Sequence, residues 1–157
     1  MSTIELKTIT AGGVTIKVPE VWDATTEVYT EPDGRECTMI DISAQEGDPR
    51  SIVISYGPMP EGSDAFIEAS DTYEELIGKT GDESENDDPI CEYDFLGTVG
   101  FGFEVPTEDE LACNFICAEI NNGTEEHSHL FTILTTAKSY EDIDDLLDLV
   151  EQYISFE

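Results

Sequence analysis

Two stretches of this chain space their apolar residues as a helix does, and its other apolar residues fall mainly in short runs that alternate or continue unbroken. The first stretch is 64–77. Phe66, Ala69, Ser70, Tyr73, Leu76 and Ile77 form one stripe, with Glu68, Asp71 and Glu75 opposite. Ser63 or Asp64 caps its start, and Gly78 stands where a C′ glycine belongs. The second stretch is 140–154, where Ile143, Leu146, Leu147, Val150 and Ile154 follow the i, i+3, i+4, i+7 rule. Ser139 is its N-cap, and Asp142 at N3 suits both the capping box and the helix dipole.

Between and before the helices the period is two. Ile4, Leu6 and Ile9 mark a first strand, Gly12-Gly13 a hairpin turn, and Val14, Ile16 and Val18 a second strand that stops at Pro19. A further strand is expected at 26–29. Pro32-Asp33-Gly34 then makes a turn, because Pro presets φ, Asp caps its own backbone and Gly accepts a positive φ. In 36–44, Cys37, Met39 and Asp41 share one face and Thr38, Ile40 and Ile42 the other. The unbroken run 51–56 reads as a strand buried on both faces. Strands are also expected at 90–96, 98–105, 111–120 and 130–137, the last two joined around Asn122-Gly123. In 98–105 the residues Val99, Phe101, Phe103 and Val105 share a face. Gly100 and Gly102 on the other leave room for something packed close.

The order is strands, helix, strands, helix. It predicts an α+β fold with a mainly antiparallel sheet flanked by helices, an α/β/α sandwich, formed by one domain over 1–157.

Charge decides which partners such a domain can have. Lys and Arg total 6 against 37 Asp and Glu, a formal net charge of −31. Binding a nucleic-acid backbone needs basic residues to displace counterions, and an anionic membrane repels acid, so both are excluded as partners of the general field. The chain is not a disordered acidic tail, because 39% hydrophobic and 9% aromatic residues supply a core. The opening residues lack a basic segment followed by an apolar run, and no stretch approaches a membrane span. A cytoplasmic protein is expected.

Cys37, Cys91, Cys113 and Cys117 form no C-x-x-C pair, and the Cys113/Cys117 spacing along a strand, about 13 Å, is too long for a disulfide. Free thiols are expected. His127 and His129, two apart, share a face of a strand and offer a metal pair. Pairing the strands so that Cys117 meets Leu130 puts the cysteines on the face of Leu130 and Leu134 and the histidines on that of Phe131. A one-residue slip reverses this. Asp82, Glu83, Glu85, Asp87 and Asp88 could gather a hard cation, but lack the order of an EF-hand, and a solvated charge run is the plainer reading. Gly97, Gly100 and Gly102 lie in a strand with no following Lys-Ser or Lys-Thr, which argues against a phosphate loop. Neither G-x-S-x-G nor H-E-x-x-H occurs. Trp22 reads as a core or corner anchor. No motif calls for a cofactor, a metal or a catalytic residue.

The segment Gly13-Val-Thr-Ile-Lys-Val-Pro-Glu-Val-Trp22 resembles the opening hairpin and Pro-x-x-Trp corner of the PsbP/DcrB-like superfamily, the fold shared with a Ran-binding nuclear-import factor. Similar too are the strand at 51–55 leading into the helix at 64–77, and the strand at 132–136 leading into the last helix. The resemblance covers most of the chain as a pattern, with 79–110 the poorest match. Members include photosystem subunits, secretion chaperones and a GTPase partner. Jointly they imply a non-catalytic domain that binds another protein, with no catalytic residues to carry over.

The most organised polar feature is the outer face of the last helix: Glu141, Asp144, Asp145, Asp148 and Glu151. It reads as a solvated face or as a docking surface for a basic protein. The expected function is an acidic protein-binding domain, adaptor or chaperone-like. The alternatives are an inhibitor or immunity-type protein, including a DNA mimic with carboxylates spaced like phosphates, and a small metal- or carboxylate-dependent enzyme. Charge kept for solubility alone is the bland explanation.

Overall fold

The Gly12-Gly13 turn has both φ positive, at 56° and 90°, the twist that joins two strands by a two-residue loop. It connects β1 (Leu6–Ala11) and β2 (Val14–Pro19), which pair antiparallel with Ala11 opposite Val14. In this computed structural model the described residues are 5–32, 34, 36–44, 47–59, 62–76, 90–95, 98–104, 111–120 and 129–156. The Asn122-Gly123 turn, Gly78, Gly97, His127 and the acidic run 80–89 lie outside them.

The remaining elements are β3 (Asp23–Thr30), β4 (Glu36–Ser43), β5 (Ser51–Pro58), α1 (Ala65–Leu76), β6 (Cys91–Phe95), β7 (Thr98–Glu104), β8 (Ala112–Ile120), β9 (His129–Ala137), α2 (Tyr140–Tyr153) and β10 (Ile154–Phe156). Seven strands form one antiparallel sheet in the order β3-β4-β5-β9-β8-β7-β6. A second, three-stranded sheet runs β1-β2-β10. The class is therefore α+β, as the alternation implied, with most of the chain in antiparallel strands. No described helix is long and apolar enough to cross a membrane.

Register shows what each face of the large sheet buries. One row runs Ile40, Ile54, Ile133, Ile116, and its neighbour runs Thr38, Tyr56, Phe131, Ala118. These side chains are buried and form a single core with Val14, Ile16 and Val18 of β2 and Ile143, Leu146 and Val150 of α2. Burying each large aliphatic side chain contributes roughly 1.5–3 kcal/mol, so this face is the main source of stability. The opposite face carries Phe103, Phe115 and Cys117, covered by Ala65 and Ala69 of α1. The two helices thus lie on opposite faces.

Three expectations need correction. First, 51–56 is buried on one face only: Ile52, Ile54 and Tyr56 are buried, whereas Ser51, Val53 and Ser55 are half-exposed. The cause is that α1 packs chiefly on β7 and β8. Second, among the described side chains of α1 the expected stripe holds at Ala69 and at Tyr73, edge-on to Phe103 at 5.1 Å, and Ala65 joins it, whereas Phe66 is 41% exposed, edge-on to Phe101 at 5.3 Å. Asp64 is its cap, accepting from the Ile67 N–H at 3.0 Å, and Ser63 donates to Glu68 at 2.6 Å. Third, α2 ends at Tyr153. Ile154 has extended dihedrals (φ −103°, ψ 146°) and pairs with Ile16 in β10.

Candidate functional site

The face of α2 away from the core is divided between two flanks. Ser139 starts the helix, its hydroxyl accepting from the Asp142 N–H at 3.2 Å, and this fixes the rotation that buries Ile143, Leu146 and Val150. On one flank Arg50 lies over the Trp22 ring, 5.1 Å from its centroid. Its guanidinium donates to Asp48 through Nη2 at 2.7 Å and Nε at 3.0 Å. Those hydrogen bonds hold the Asp48 carboxyl below the usual carboxylate range and raise Arg50. Asp142 and Asp145 add to the field on Arg50. Trp22 is 5% exposed and, as an anchor, also presents its carbonyl to Lys7 Nζ.

The other flank of α2 overhangs β6 and leaves a groove of about 340 Å³. Tyr93, Phe95, Ile116 and Leu147 make its apolar side, Asp144, Asp148 and Glu151 of α2 supply its carboxylates, and Asp94 completes the lining on β6. Among the described residues that line it, none is basic. Sequence periodicity singled out Asp144, Asp148 and Glu151, and the structure brings these three together. It sets Asp145 on the Arg50 flank and leaves Glu141 exposed in the first turn.

The groove exists because β7 presents glycine rather than a side chain where the Tyr93 ring of β6 lies across it. Tyr93 pairs with Gly100, and its hydroxyl reaches Asn114 Oδ1 on β8 at 3.3 Å. Asn114 is opposite Glu104, so the ring runs diagonally across β7 on the side of Gly102. A Cβ at Gly102 would run into the Phe115 carbonyl oxygen and come within 3.0 Å of Ile116 Cα. What packs close to these glycines is therefore strand β8 itself. Phe95 completes the floor, stacked at 6.0 Å on Phe131. Burial raises the Tyr93 phenol, and the hydrogen bond to Asn114 partly offsets this. Periodicity in α2 alone could not reveal Tyr93, Asp94 and Phe95. The usable signal was the glycine pair, which announced a close neighbour without naming it.

The arrangement is locally self-repelling. Asp144 and Asp148 are spaced i, i+4 and Asp148 and Glu151 i, i+3, and like charges at such spacings each cost about 0.2–0.5 kcal/mol. The last turn of α2 also has no basic residue to oppose the helix dipole.

The other candidates separate. His129 is half-buried, its ring stacked on Tyr56 with centroids 5.0 Å apart. Cys117 pairs with Thr132 rather than Leu130, a register two residues from the expected one. A shift of two keeps every side chain on its face, so the cysteines share the face of Leu130 and Leu134 and His129 lies on the other. Among the described residues no three His, Cys, Asp or Glu side chains are grouped to hold a metal ion. All four cysteines are free thiols. Burial raises Cys113 and Cys117, which makes them poor nucleophiles.

No protein-family model matches the chain, and no curated protein matches it significantly.

Proposed function

We propose that this is a non-catalytic acidic protein-binding domain, adaptor or chaperone-like, built on a PsbP-like sandwich and acting in the cytoplasm on a basic partner. The observation that carries this is the groove between α2 and β6, whose apolar side and carboxylates suit a protein surface bearing basic side chains. The repulsion within α2 supports the same reading. A local cost on an otherwise consistent helix is expected where a partner relieves it. The net charge of −31 adds long-range attraction, which speeds encounter and makes it salt-sensitive.

The test is affinity capture from source-cell lysate at low and high salt, with the wild-type chain beside the triple variant Asp144→Asn, Asp148→Asn, Glu151→Gln. A basic protein retained by the wild type at low salt, released at high salt and missed by the variant is the expected result. Equal recovery by the variant, or no partner at either salt, refutes the proposal. A captured nuclease or DNA-binding protein would instead favour the inhibitor or DNA-mimic reading.

A further inference from the structure

We propose that the groove between α2 and β6 is a receptor for one arginine side chain of the partner. This rests on the protein-binding reading above and names the chemistry of its contact. The apolar side offers Tyr93 and Leu147 to the methylene stem. The Tyr93 ring is a surface on which a planar guanidinium stacks, and Asp144 and Asp148 are the acceptors for its N–H groups.

The molecule already uses this chemistry once. On the opposite flank of α2, Arg50 lies over an aromatic ring, 5.1 Å from its centroid, with its guanidinium forked onto a carboxylate. The groove presents the same two components, a ring and carboxylates, and among the described residues that line it none is basic.

Other occupants fit the chemistry less well. A hard cation takes six or more oxygens, and half of the lining is apolar. An apolar side chain would bury the floor but strip water from carboxylates without replacing their hydrogen bonds. An anion meets only like charge. Lysine matches the charge, but its ammonium is strongly hydrated and neither stacks nor forks, so it gains less from this lining.

The experiment titrates ¹⁵N-labelled protein with the blocked peptide Gly-Gly-Arg-Gly-Gly and with versions carrying lysine, citrulline or norleucine in its place. The arginine peptide is expected to shift the amides of Tyr93, Gly100, Gly102, Leu147 and Asp148 and to bind several-fold tighter than lysine. Citrulline and norleucine should give no saturable shift. Asp148→Asn, at an exposed position, should weaken arginine binding about tenfold, the size expected when a charge-assisted hydrogen bond is lost. Leu147→Phe should block the groove without changing charge. Shifts spread evenly over the acidic surface, equal binding of lysine, or an unaltered affinity in Asp148→Asn overturns the proposal. The two readings fail separately. Carboxylate-dependent partner capture that persists in Leu147→Phe sinks the arginine receptor and leaves the protein-binding domain standing, whereas absence of capture sinks the latter.

Discussion

Replacing Gly102 by alanine should destabilise this fold, although in an open strand the same change would stabilise it. Removing a glycine reduces the freedom of the unfolded chain and contributes about 0.4–1 kcal/mol when the native site accepts the methyl. Here it does not. The new Cβ would meet the Phe115 carbonyl oxygen and approach Ile116 Cα and Cγ1, each at 3.0 Å. Two of the three obstacles are backbone, and Gly102 faces Ile116 across the ladder, so relief requires β7 and β8 to part. Overpacking of this kind costs about 1–3 kcal/mol, and a lost ladder hydrogen bond adds about 1 kcal/mol. Net of the entropic gain, about 1–3.5 kcal/mol should be lost. For a chain this size that lowers Tm by about 2–14 °C. Gly100→Ala should cost less, since no atom comes as close as the Phe115 oxygen does at Gly102: its nearest contacts are the Cys117 oxygen at 2.9 Å and Ile116 Cγ2 at 3.1 Å. Urea and thermal melts followed by circular dichroism measure both. A Gly102→Ala protein as stable as wild type, or less affected than Gly100→Ala, would refute the packing assigned to β7 and β8.

Ser139→Ala removes the acceptor for the Asp142 N–H and should cost about 1 kcal/mol in the same melts, whereas Ser139→Asp should be near neutral. Asp48 is held below its usual range chiefly by the Arg50 side chain, so its folded pKa lies under its unfolded value. Its contribution is therefore complete above the unfolded value near 4 and is lost as pH falls through the folded one. The pair is well exposed, so Asp48→Asn should cost about 1 kcal/mol or less at neutral pH, and the two proteins should converge in acid. A difference that grows toward low pH would reverse the assignment. Under a thiol-titrating reagent the native protein should expose Cys91 at once, while buried Cys37, Cys113 and Cys117 react only on unfolding. More than one fast thiol would contradict the core.

What the sequence could reveal was whatever one element determines alone. Ser139 and the spacing of Ile143, Leu146 and Val150 located α2 and its buried side, and Gly12-Gly13 located a hairpin. Ile154 misled because it stands four residues after Val150 with no breaker between them, so its place in β10 depends on Ile16 at the other end of the chain. Val14, Ile16 and Val18 declared one buried face but not that it belongs to a second sheet. In 51–56 the apolar run was read correctly as a strand, but how much of its second face is covered depends on where α1 comes to rest. The groove shows the same limit. Its carboxylates were legible from α2, whereas Tyr93 and Phe95 arrive from β6 by pairing across Gly100 and Thr98.

The pairing of Ile154 with Ile16 and of Phe156 with Val14 gives β2 a neighbour that is made long after it, once α2 is complete. While the chain is emerging, the β1–β2 hairpin has only itself to pair with, and its three fully buried side chains have no α2 to lie against. Contacts between such distant positions pay their loop-closure entropy late and slow folding. Strands β1 and β2 should thus be among the last to gain protection from solvent exchange, and a nascent chain stalled before α2 should be held open to chaperones and proteases.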